Sequence, residues 1–113
     1  MAYDRELAER IRSLLPHGPA VTERAMFGGL AFMVDGKMAI AAGGGGAVMV
    51  RVDPSEAEEL MVATGAVPME MRGRPMRGWL RVAADQLGTE EQLASWVEVG
   101  VERARSLPGK DSA

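Results

Sequence analysis

Four arginines, Arg72, Arg74, Arg77 and Arg81, stand within ten residues of one another, opposed locally by a single acid, Glu70. A guanidinium group presents a rigid fork of donors that matches phosphate or carboxylate oxygens two at a time. Such a cluster on a Gly/Pro-containing segment is therefore a candidate anion-binding or partner-binding site. Lys37 and Arg51 lie on stretches that read as strands and can come close to it. The plainer reading is a solvated loop whose arginines pair with the acidic helices of the same domain, and a net charge of −3 favours it.

Residues for covalent or acid–base chemistry are scarce. His17 is the only histidine and sits in a Pro/Gly segment beside no obvious carboxylate or nucleophile. No serine occupies a Gly-x-Ser-x-Gly elbow. The chain has no cysteine, which excludes disulfides, thiolate catalysis and cysteine metal sites. One histidine with only carboxylates beside it is a poor ligand set for zinc. Glu56, Glu58, Glu59, Glu90 and Glu91 fall in the first turns of expected helices, where negative charge complements the dipole. The expectation is a non-enzymatic protein with no catalytic residue, no metal and no cofactor.

Two glycine-rich stretches invite a phosphate-cradle reading. Neither Gly28-Gly29 nor the run Gly43 to Gly46 is followed by a helix N-terminus that would supply converging amides. They read as structural turns.

The elements that must position these residues follow from periodicity and caps. Leu7, Ala8, Ile11, Leu14 and Leu15 recur at helical spacing behind Asp4 as cap, and Pro16 ends that helix. Asp35-Gly36 between two apolar runs is a two-residue hairpin, because both central residues of such a turn need positive φ. Simple pairing then sets Phe32 opposite Ala39 and Leu30 opposite Ala41, with Ala31, Met33, Met38 and Ile40 on the other face. Both faces are apolar and each needs cover, from helices on both sides or from a second copy. Methionine occurs 9 times, and Met33, Met38 and Ile40 are the candidate interface of a homodimer.

A third strand spans Ala47 to Val52. Asp53-Pro54 opens a second helix that Gly65 closes, and Gly78 to Ala83 is a fourth strand. Thr89 and Gln92 form a capping box for a last helix, whose inner face is Leu93, Trp96, Val97, Gly100, Val101 and Ala104. The expected fold is α+β, a mainly antiparallel sheet of about four strands with three helices in the order α-β-β-β-α-β-α. At 113 residues this is one domain, residues 1–113, with a frayed tail from about 108. The charged N-terminal segment has no signal-peptide core and no apolar run is long enough to span a bilayer, so a cytoplasmic protein without membrane contact is expected.

The stretches "RAMFGGLAFMVDGKMAI", "VMVRVD", "GRPMRGWLRV" and "LASWVE", in this order from Thr22 to about Arg105, resemble the N-terminal domain of the TfoX/Sxy family. The family is named for a regulator of competence, the transcriptional programme for DNA uptake. That regulator resembles this chain in its first half only, and its C-terminal domain has no counterpart here. The resemblance implies a small regulatory or protein-interaction module and supplies no catalytic residue to carry over. A nucleic-acid accessory role for the Arg72–Arg81 segment is the alternative, less favoured because the chain as a whole is acidic.

Overall fold

A computed structural model of the protein describes residues 4–16, 18, 20–26 and 28–107. Helix α1, Arg5–Leu14, starts where the Asp4 carboxylate accepts a 3.1 Å hydrogen bond from the Leu7 amide, and it buries Leu7, Ala8 and Ile11. Six strands follow: β1 Val21–Met26, β2 Gly29–Val34, β3 Lys37–Ala42, β4 Val48–Arg51, β5 Val67–Met71 and β6 Arg74–Val82. Helix α2, Pro54–Thr64, lies between β4 and β5, and α3, Glu90–Ser106, closes the chain. The fold is α+β, as expected, but the sheet has six strands rather than four.

The strands form one sheet in the order β1-β2-β3-β4-β6-β5, and every neighbouring pair is antiparallel. The two extra strands are the edges. β1 is a polar sequence, VTERAM, and β5 carries Pro68, which an edge strand tolerates because one side of its backbone needs no ladder partner. Three hairpins use two-residue turns. Asp35 (φ 54°) and Gly36 (φ 81°) make the one expected, with both residues left-handed. Arg72 (φ 55°) and Gly73 (φ 79°) make a second, between Met71 and Arg74. The third joins Met26 to Gly29 through Gly28 (φ 75°) and Phe27, the latter outside the described residues. Gly28-Gly29 is thus a turn followed by a close approach: a Cβ on Gly29 would sit 2.5 Å from the Ala42 carbonyl oxygen. Gly44–Gly46 form a short 3₁₀ turn leading into β4.

One expected register is corrected. A bulge between Phe32 and Met33 leaves Ala39 as an extra residue on β3, so Phe32 pairs with Ile40 and Leu30 with Ala42. Ile40 therefore points into the core, where it is fully buried, and does not share a face with Met33 and Met38. A straight alternation cannot reveal this, because alanine fits either side.

All three helices lie on one side of the sheet, so the expectation that each face would find cover is not met within the chain. α3 packs on β2, β3 and β4, α2 on β6, and α1 against α3. Leu30, Phe32, Val34, Ile40, Ala42, Val48, Val50, Leu80 and Val82 meet Ile11, Leu93, Trp96 and Val97 in a single cluster. Each fully buried aliphatic or aromatic side chain there contributes about 1.5–3 kcal/mol. The expected inner face of α3 is the observed one, and the Thr89–Gln92 capping box is formed. Gly100 lets α3 settle onto β3, since a Cβ there would run into the Ala39 carbonyl.

Candidate interaction surface

The register that fills the core also fixes what the opposite face carries. Met33 on β2 pairs with Thr22 and Met38, and Ala41 pairs with Met49. Met49 pairs with Arg81, Arg51 with Trp79, Arg24 with Ala31, and Arg81 with Val67. These residues alternate with the core positions, so they share the face turned away from the helices. None of them belongs to the core cluster or packs against it. Met33, Met38, Met49 and Trp79 are partly exposed, Val67 is 47% exposed, and Arg24 and Arg81 are exposed.

Arg51 is the most constrained cation on this face. Its guanidinium carbon stands 4.8 Å from the centroid of the Trp79 ring, a cation–π arrangement. Its Nε is buried with no hydrogen-bond partner among the described residues. Burial pulls its pKa below the ordinary arginine value, and repulsion from Arg103 adds to this. An arginine starts so high that it keeps its charge at neutral pH.

Charges divide between the two sides of the sheet. Among the described residues the ion pairs are Arg12 with Glu9 and Glu23, and Arg103 with Asp53, all on the helix side or at its margin. Arg12 holds the Glu23 carboxyl below its ordinary pKa through a hydrogen bond, with the Coulombic attraction adding to it. Hydrogen bonds from the amide and hydroxyl of Ser55 do the same for Asp53, the cap of α2. Arg24, Arg51, Arg72, Arg74, Arg77, Arg81 and Lys37 have no carboxylate within ion-pair distance among the described residues. The acids meanwhile gather in the helical layer: α2 carries Glu56, Glu58 and Glu59 with no basic residue, and α3 carries Glu90, Glu91, Glu98 and Glu102.

The arginine cluster is therefore neither a loop nor neutralised by the acidic helices. Arg74, Arg77 and Arg81 lie along β6, and Arg72 sits in the hairpin turn. β4 ends opposite Trp79, so the β5–β6 hairpin continues past it with Arg72, Arg74 and Arg77 exposed. Lys37 pairs with Val34 on the helix side and is not brought to the open face. Arg24 and Trp79 escaped the sequence reading, because their placement depends on pairings between distant strands.

A cleft of about 290 Å³ lies between α2 and α3, lined by Leu60, Thr64, Gln86, Gln92, Ser95 and Trp96 among others, with no ionisable group. Its Thr64 hydroxyl donates to the Leu60 carbonyl and its Gln92 side chain accepts from the Thr89 amide, so both serve the helix ends. Among the described residues no group of three or more His, Asp or Glu side chains is placed to hold a metal, and no helix is long and apolar enough to cross a membrane. His17 lies outside the described residues.

The family model of the TfoX N-terminal domain matches residues 13–104 of the 113. The chain belongs to the TfoX N-terminal domain family. No curated protein and no solved structure matches it. The TfoX N-terminal domain match runs from the end of α1 nearly to the end of α3, so it includes the whole sheet and both of its faces.

Proposed function

We propose that this TfoX N-terminal domain is a non-enzymatic regulatory module that works by binding another protein through the open face of its sheet. The regulatory part of this reading rests on the family, and a cytoplasmic setting belongs with it. The binding part rests on one observation: methionines, a tryptophan and alanines share a face that no helix covers, rimmed by arginines without carboxylate partners. Apolar surface left wet in this way is a common mark of an interface, and flexible thioethers adapt to irregular partners.

Self-association is the second reading, supported by the same apolar strip. A two-fold pairing of the two open faces would bring Arg24, Arg51 and Arg81 towards their own copies, which makes it the weaker one. A nucleic-acid role draws support from the unpaired arginines but has, among the described residues, only Trp79 on this face for base stacking.

The test is site-specific photo-cross-linking in native extract. A photoreactive phenylalanine analogue replaces Met38 on the open face or Val62 on α2, which is 83% exposed. The reading expects protein adducts from position 38 and not from position 62. Equal labelling from both, or adducts from position 38 only to nucleic acid, would refute it.

A further inference from the structure

We infer that the partner segment is an acidic amphipathic helix, aligned with the strands over the methionines and with its carboxylates on the flanking arginines. This rests on the reading of the open face as a protein-binding surface and adds the chemistry of what binds there. Met33, Met38 and Met49 stand on the three adjacent strands β2, β3 and β4, so a helix aligned with those strands lies over them. Arg24 on β1 flanks it on one side, Arg81 on β6 on the other. Four inter-strand steps separate β1 from β6, which places the two cationic margins about 19 Å apart. An α-helix with its side chains is about 10–12 Å across, so it fits between them with room for carboxylates on both flanks.

The charges select the occupant. Among the described residues every cation register puts on this face lacks a carboxylate partner, and Glu70, the acid of the neighbouring β5 strand, makes no ion pair with any of them. Arginine forks match carboxylates two at a time, and pairing at the rim sets orientation and encounter rate while the methionines supply the apolar contact. Single-stranded nucleic acid would need a row of stacking rings, whereas among the described residues the only ring register places here, Trp79, already carries Arg51 on it. A second copy offering its own acidic α2 would join head to tail, a contact that need not close.

Fluorescence anisotropy with the whole chain decides it. The probes are a labelled designed peptide of about five helical turns with leucines on one face and glutamates on its flanks, the same peptide with every glutamate changed to glutamine, and oligothymidylate. The acidic peptide is expected to bind at least about tenfold more tightly than its glutamine twin and to weaken severalfold from low to high salt. Arg24→Glu with Arg81→Glu, both at exposed positions, should cut acidic-peptide binding about tenfold or more while the melting curve stays in place. Arg5→Glu on α1 should leave binding unchanged. If the double variant melts differently, the salt dependence and the glutamine twin on the wild-type chain still decide.

Equal binding of the two peptides, lost on Met38→Gln, would overturn the acidic partner yet leave the protein-binding face standing. Absence of binding by both peptides would overturn the inference outright. Binding of oligothymidylate in place of the acidic peptide would sink both this inference and the reading it rests on. Open-ended growth above 12.1 kDa in sedimentation, removed by Arg81→Glu, would make the occupant a second copy and overturn the hetero-partner.

Discussion

Phe32 and Met33 are neighbours in β2, and the pleat sends them to opposite sides of one sheet. Phe32 is fully buried among α3 and the inner residues of four strands, while Met33 lies partly exposed beside Met38 and Thr22. The inner face is branched and aromatic, packed against helices. The outer face is methionine, alanine and one tryptophan, rimmed by unpaired arginines. Both are apolar by composition, so hydrophobicity alone does not separate a core from a docking surface. The kind of apolar residue and the fate of the nearby charges do.

The largest expected effect separates the faces at these two adjacent positions. Phe32→Ala should cost about 3–5 kcal/mol in urea denaturation, since it removes a buried ring and leaves a cavity, whereas Met33→Ala should cost about 1 kcal/mol or less. Comparable losses would make the outer face a second core. Next comes Gly100→Val on the helix side, expected to cost about 2–3 kcal/mol because α3 must lift from the Ala39 carbonyl, with a lower urea midpoint as the readout.

The hairpin that carries both faces is tested by Gly36→Val. A β-branched residue at φ 81° should cost about 1–2 kcal/mol or somewhat more, seen as a lower melting temperature. An unchanged melt would remove the left-handed turn on which the register depends.

Much of this was legible in local chemistry. Asp4, Asp53 and Thr89 announce their helices, Asp35-Gly36 its turn, and the spacing from Leu93 to Ala104 its buried stripe. The edge strands were not legible, because VTERAM is too polar and VPMEM too short and proline-bearing to read as strands without their partners. Arg72-Gly73 hid a second hairpin because arginine holds the left-handed position that asparagine or aspartate usually marks. The bulge at Ala39 leaves no trace in an alternation of small residues, and with it went the true side of Ile40. For the surface, the arginine cluster showed in the sequence, but its setting on β6 and the nearness of Arg51, Trp79 and Met49 follow only from register.

The smallest expected effect again contrasts the sides, through pH. Glu23, on the helix side, has its folded pKa held below the unfolded value by Arg12. The pair's contribution is therefore present above the unfolded carboxylate value of about 4.3 and is lost as pH falls through the lower folded value. Arg12→Ala should be slightly less stable than wild type at neutral pH, and the gap should close on acidification. A gap that persists at low pH would assign the Arg12 effect to packing of its stem.

The most direct measurement is urea denaturation, with acidic-peptide binding, of the triple variant Met33→Gln, Met38→Gln and Met49→Gln. Glutamine keeps the length of each side chain and removes its apolar character. If the open face serves a partner and not the fold, the variant folds cooperatively, loses no more stability than Phe32→Ala alone, about 3–5 kcal/mol, and no longer binds the peptide. A variant that fails to fold, or one that folds and binds the peptide like wild type, would contradict the account.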